Sequence, residues 1–182
     1  MKVSIVCKAN VNIDDSSFAS LLNQTLDDIE IILPDEHYFK DSRVTHGVVP
    51  SGEYLLLTDM QCIFSPNMLE VMTHWMDEVR ADLGVCGRNV KGVKSAVITT
   101  VANTDDKKFA LVQRLISRRL LFTPNNAVIR NNGSGNFCDS YIDYVKNEWI
   151  YCFSNDFVKG GGKEASKEQI FEVLDYFLGR RF

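Results

Sequence analysis

Short apolar runs rich in β-branched residues recur along the first hundred residues, separated by stretches whose apolar residues repeat at three- and four-residue spacing. That alternation constrains the fold strongly, because two parallel strands must be joined by a crossover, most often a helix. Val3-Ser4-Ile5-Val6-Cys7 reads as a first strand, followed by polar turn chemistry from Asn10 to Asp15. Asp14, Asp15 or Ser16 can cap a helix that sets Phe18, Leu21 and Leu22 on one face. Ile29-Glu30-Ile31-Ile32-Leu33 is a second strand, and Pro34 stops it because proline has no amide to donate. Tyr54-Leu55-Leu56-Leu57-Thr58 follows as a strand, and Ser65-Pro66 opens a helix in which Leu69, Met72, Trp75 and Met76 share a face. Leu83-Gly84-Val85-Cys86 returns as a strand, and Val93 to Val101 is compatible with another. The pattern predicts an α/β fold, an open and mainly parallel sheet with helices on both faces.

Beyond Asn103 the organisation loosens. A basic helix over Asp106 to Leu120 precedes a short strand, Ala127 to Arg130, and a polar loop, Asn131 to Asn136. Trp149 to Phe153 reads as a strand, Gly160-Gly161-Gly162 as a flexible turn, and Ser166 to Leu178 as an amphipathic helix with Ile170, Val173, Leu174 and Phe177 on one face. No repeat or linker divides the chain, so its 182 residues are expected to form one domain. A domain of that length buries about 70% of the surface its unfolded chain exposes, enough to stand without disulfides or metal.

Charge and cysteine usage exclude several classes. A net charge of −4 argues against a general nucleic-acid binder, which needs clustered cations to displace phosphate counterions. Cys7, Cys62, Cys86, Cys138 and Cys152 are odd in number and include no CxxC pair, which speaks against a disulfide framework and a zinc site. Cys7, Cys86 and Cys152 lie in apolar runs, where a thiol acts as a small hydrophobe. The first eight residues lack the apolar stretch of a signal peptide and no window is long enough to span a membrane, so a cytoplasmic location is expected. His37, His46 and His74 are not at metal-ligand spacing, and no Ser or Cys sits in a nucleophile turn.

Six segments follow one another in order: Lys2-Val3-Ser4-Ile5-Val6, Ser20-Leu21-Leu22-Asn23-Gln24-Thr25, Asp28-Ile29-Glu30-Ile31-Ile32, Gly52 to Asp59, Phe64-Ser65-Pro66-Asn67-Met68-Leu69, and Ala81-Asp82 with Val85 to Asn89. Together they resemble family-2 glycosyltransferases. The resemblance covers roughly the first half of the chain and implies a Rossmann-like glycosyltransferase A fold. It also implies a nucleotide-sugar-binding half over 1–103, an acceptor-side half over 104–182, and a nucleotide diphosphate-sugar bound at the carboxyl ends of the parallel strands.

The resemblance assigns positions as well as a fold. Lys8 stands at the end of the first strand, and Asp35 matches the second acid of a DDGS-like turn whose first acid is replaced by Pro34. Asp59 matches the first acid of a DxD motif that in the family holds Mg or Mn against the diphosphate. The second acidic position is Gln61 and the next residue is Cys62, so the motif is degenerate. Asp59 is therefore either a lone metal ligand or the cap of the turn that follows its strand. The stretch from Asp35 to Gly52 is shorter than the family's, which implies a lost element of the sheet and closure by Tyr38 and Phe39. On the acceptor side, Asp143 is the candidate general base, the alternative being a solvated helix carboxylate beside Lys146 or Asn147.

Lys107, Lys108, Arg114, Arg118 and Arg119 form the most basic segment. It is either a solvated helix face or a patch that draws the protein to anionic headgroups, at the inner face of a membrane, or to a lipid-linked acceptor. Two functions follow. One is transfer of a sugar from a nucleotide diphosphate-sugar to a glycan or lipid-linked acceptor in polysaccharide synthesis. The other is a catalytically inactive relative that binds or scaffolds a partner glycosyltransferase through exposed apolar surface near 36–50.

Overall fold

The computed structural model describes residues 1–8, 12–34, 39–90, 93–94, 100–117, 124–132, 149–160 and 166–179. Strands β1 (Val3–Cys7), β2 (Ile29–Leu33) and β4 (Tyr54–Thr58) occupy the expected residues. Helix α1 (Asp15–Leu22) starts where Asp14 Oδ1 accepts the amides of Ser16 at 2.7 Å and Ser17 at 3.2 Å, a side-chain N-cap. Helix α2 (Met68–Val79) leads to β6 (Leu83–Val90), and α3 (Asp105–Ser117), β9 (Ala127–Arg130), β10 (Ile150–Gly160) and α4 (Lys167–Leu178) complete the larger elements.

With β3 (Val44–His46) and β5 (Cys62–Phe64), the strands form one sheet in the order β3-β2-β1-β4-β9-β6-β10-β5, with β7 (Val93–Lys94) beside β6 and β8 (Thr100–Ala102) beside β10. Neighbours β3 and β2, β2 and β1, β1 and β4, and β6 and β10 run parallel. The strand β9 runs against both β4 and β6, and β5 (Cys62–Phe64) runs against β10 at the far edge. This is a mixed α/β fold on a mostly parallel sheet.

Register decides which residues share a face. Val3 lies beside Ile29 and Tyr54, and Ile5 beside Ile31 and Leu56, so these six side chains form one apolar surface. Phe18 and Leu21 of α1 and Met68, Leu69, Met72 and Met76 of α2 pack in the same cluster, which places both helices on that face. Phe39 joins it from the β2–β3 connection, its ring centroid 4.1 Å from that of Phe18. The opposite face is buried too, through Ile32, Leu55, Leu57, Val85 and Ala127.

A buried carboxylate organises that second face. Glu30 Oε1 accepts the Ser4 hydroxyl and, at 2.8 and 2.9 Å, the amide and hydroxyl of Ser51, while the Gly52 amide donates to Ser4 Oγ at 2.7 Å. A Cβ at Gly52 would lie 2.5 Å from the Ser4 nitrogen and 2.8 Å from the Val3 carbonyl carbon. Main chain cannot yield as a flexible side chain would, so only glycine lets the loop approach β1 this closely. Burial alone would push the Glu30 carboxyl up, but the bonds from Ser4, Ser51 and Gly52 outweigh it and hold it below the usual range.

The structure departs from the sequence expectations in several places. The sheet keeps a strand between Asp35 and Gly52, β3 (Val44–His46), paired in parallel with β2 through Ile31 and Val44. The described part of that connection, 39–50, carries no helix. Pro66 precedes the N-cap Asn67 and stands outside α2. Trp75 is 46% exposed rather than on the core face with Met72 and Met76. Lys108, read as part of a basic surface, is buried. Cys62 is buried like Cys7 and Cys86. β10 extends to Gly160, beyond the expected Phe153.

Candidate functional site

The direction of the chain reverses its progress across the sheet between β1 and β4. From β1 it moves outward to β2, and from β4 toward β9, β6 and β10. In open α/β sheets such a switch point leaves a crevice outside the carboxyl ends of the strands, where ligands bind. Lys8 follows β1 and donates its amide to the Thr58 carbonyl at 2.9 Å, which fixes its backbone beside the end of β4.

The turn after β4 is held from three sides. Thr58 Oγ1 accepts the Met60 amide at 3.0 Å, and Met60 takes a left-handed backbone, φ 55°, while its side chain is fully buried. Burying an apolar side chain from that strained residue turns the neighbouring Asp59 and Gln61 away from the core. Asp59 forms a two-bond exchange with Asn125. Its amide donates to Asn125 Oδ1 at 3.1 Å, and Asn125 Nδ2 donates back to Asp59 Oδ1 at 2.9 Å. The Gln61 amide also donates to Asp59 Oδ1, at 3.1 Å. Gln61 Nε2 reaches the Asn12 carbonyl at 2.6 Å, and the Asp14 amide donates to the Met60 carbonyl at 3.3 Å, tying the turn to the start of α1.

Asn125 belongs to a single 3-10 turn, Pro124–Asn126, that leads into β9. Its neighbour Asn126 donates Nδ2 to the Cys86 carbonyl at 2.8 Å, anchoring the turn to β6. Arg88, further along β6, is buried. Burial, helped by the charge of Asp59, pushes the Cys7 thiol up to about 11. Burial and Asp59 raise the Cys62 thiol as well, against the opposing charge of Arg88. Both thiols are protonated at neutral pH and are poor nucleophiles and metal ligands.

Lys8, Asp59 and Gln61 are thus brought to one place, the β1 and β4 ends. Asp35 and Asp143 lie outside the described residues, as do Tyr38, Arg118 and Arg119. Asn12, Asn125, Asn126 and Arg88 border the site without having been singled out. The sequence signal available for Arg88 is a cation directly after the apolar run Leu83 to Cys86 and Gly87, and for Asn125 and Asn126 a polar pair following Pro124.

A divalent ion fits these residues poorly. Asp59 Oδ1 already accepts two N–H bonds, position 61 is an amide whose nitrogen is engaged, and position 62 is a buried thiol. Among the described residues there is no group of three or more His, Cys, Asp or Glu side chains able to hold a metal. None of the described helices is long and apolar enough to cross a membrane.

No protein-family model matches the chain, and no curated protein matches it significantly. Solved structures do. The crystal structure of Staphylococcus aureus TarS 1-349 superposes with a TM-score of 0.60 at 14% identity, covering 97% of this chain and 64% of TarS 1-349. The same protein in complex with UDP gives 0.58 at 15% identity, and in complex with UDP-GlcNAc 0.55 at 15% identity, each over 97% of this chain. The chain spans 64% of the UDP-bound and 65% of the UDP-GlcNAc-bound structure. At such identity the likeness is one of fold, the mixed α/β fold that this chain shares with TarS 1-349.

Proposed function

We propose that this chain is a glycosyltransferase-like protein that receives a nucleotide diphosphate-sugar in the crevice between the carboxyl ends of β1 and β4. The sugar would pass to a glycan or lipid-linked acceptor in polysaccharide synthesis. One observation carries the reading: nearly the whole chain superposes on TarS, a family-2 glycosyltransferase solved with UDP and with UDP-GlcNAc. Lys8 and Asp59 then stand where open α/β sheets take their ligands.

In this reading Asp35 contacts the nucleoside, and Lys8, Asp59 and Gln61 border the diphosphate. Asp143 accepts the proton of the acceptor hydroxyl as its oxygen attacks the anomeric carbon. The bond from that carbon to the phosphate oxygen breaks, and the nucleoside diphosphate leaves with the electron pair. Stabilising the charge that grows on the leaving phosphate is the larger task, and preorganised donors and cations at the strand ends serve it. A cytoplasmic site at the inner face of a membrane, with the 107–119 segment toward anionic headgroups, completes the proposal. Vesicles with and without anionic lipid test that part, with co-sedimentation expected only for the anionic ones.

A second reading, an inactive binding or scaffolding relative, is favoured by the state of the turn after β4. Its lone carboxylate is half-committed to Asn125 and Gln61, and its other motif positions are neutral. Val48 and Val49, 44% and 79% exposed, stand in the connection where a partner glycosyltransferase would dock.

Thermal melting with UDP, UDP-GlcNAc and GDP-sugars tests both. A ligand at a hundredfold excess over its Kd stabilises by about 2.7 kcal/mol, so a rise of several degrees is expected with UDP compounds. Unchanged melting and unchanged protein NMR shifts at millimolar nucleotide would refute the donor site. Release of UDP from UDP-GlcNAc in the presence of an acceptor, lost in Asp143→Asn, separates the enzyme from the scaffold.

A further inference from the structure

A bound pyrophosphate must have its negative charge balanced, either by a divalent ion held on carboxylates or by cationic side chains. The turn after β4 is poorly equipped for the first. Mg or Mn bound tightly by protein needs several oxygen ligands in near-octahedral array. Here Asp59 can give one oxygen at most, because the amides of Gln61 and Asn125 occupy the other, and this same pair of bonds prevents bidentate ligation. Gln61 turns its amide nitrogen to the Asn12 carbonyl, and the Cys62 thiol is buried.

The second route has a candidate. Lys2 is engaged by Glu53 and Asp77, Arg43 by Asp41, and Arg130 by Asp77. Lys8 differs from all three. It is half-buried at the end of β1, its amide is held on Thr58 next to the Asp59 turn, and its ammonium forms no ion pair or hydrogen bond with any described residue. An ammonium with no ion-pair partner among the described residues, on a backbone fixed at the switch point, can serve as a point-charge phosphate binder.

We propose that this chain captures its nucleotide diphosphate without a resident divalent ion, the Lys8 ammonium supplying the countercharge. The proposal rests on the donor-site reading above. The nearby Asp59 charge then opposes the diphosphate and acts through the Asn125 exchange as a fastener of the turn.

Calorimetric titration of UDP into the full chain, in EDTA and in millimolar Mn, tests it on wild type, Lys8→Gln and Asp59→Asn. The expected result is one Kd, equal within about twofold in both buffers, and as tight or tighter in Asp59→Asn, where the amide keeps the Asn125 bond. Lys8→Gln should weaken UDP about tenfold or more, the scale of a charge-assisted hydrogen bond, and Lys8→Arg should recover most of it. Melting curves confirm that the variants fold, and Lys8→Met, which keeps the alkyl stem, replaces Lys8→Gln if that variant does not. Binding that requires Mn and disappears in Asp59→Asn overturns the proposal while leaving the donor site intact. So does an unchanged Kd in Lys8→Gln. Absence of UDP binding in both buffers overturns it together with the donor-site reading.

Discussion

Gly52 and Glu30 act as a single fastener, and each makes a separate prediction. Gly52→Ala forces a methyl group into the β1 main chain, so a loss of at least about 2 kcal/mol in urea unfolding is expected, as for other substitutions that overpack fixed backbone. Glu30 carries the pH dependence. Its folded pKa lies below the unfolded one, near 4.3, so its stabilisation is present above that value and is lost as pH falls through the folded pKa. Urea midpoints measured from pH 7 downward should therefore fall more steeply below about pH 4.3 in wild type than in Glu30→Gln, which has no proton to gain there. Parallel curves would show that the carboxylate contributes nothing by its charge. Neither role was legible in the sequence. The pattern Ile29-Glu30-Ile31 looks like an ordinary strand with one outward polar residue, and only the register of β1 against β2, Ser4 beside Glu30, shows that it points into a covered face.

Element by element, what was legible followed from length. β2 and β4 were readable to the residue because four of the five buried positions in each are apolar, Glu30 and Thr58 being the exceptions. β3 and β5 escaped because three residues are too few to display a period, and in β3 all three are only half-buried. Asp59 could be found by position at the end of β4, whereas its partner Asn125 lies 66 residues on, and nothing local links the two. The pairing predicts a loss on Asn125→Ala of about 1–3 kcal/mol, because Asn125 is buried and the Asp59 amide is left without its acceptor. Hydrogen exchange locates the effect. The amides of Asp59 and Gln61 should exchange faster in Asn125→Ala than in wild type, while those of β2 should not change.

At the scale of the whole molecule, the expected halves 1–103 and 104–182 do not divide the sheet. β9, from the second, lies between β4 and β6 of the first and hydrogen-bonds to both. A polypeptide leaves the ribosome from its amino terminus, so β4 and β6 are made well before the strand that fills the gap between them. Until Arg130 has emerged, each shows a bare edge of unpaired main chain, the kind of surface to which other strands attach. Asn125 also arrives late, so the Asp59 turn is loose until then, and a chain interrupted anywhere before β9 has no finished crevice. A fragment ending at residue 103 should accordingly unfold without a cooperative transition and associate through those edges, a behaviour that sedimentation and melting curves would show. Supplying residues 104–182 in trans should restore the missing strand and, with it, a single sharp transition.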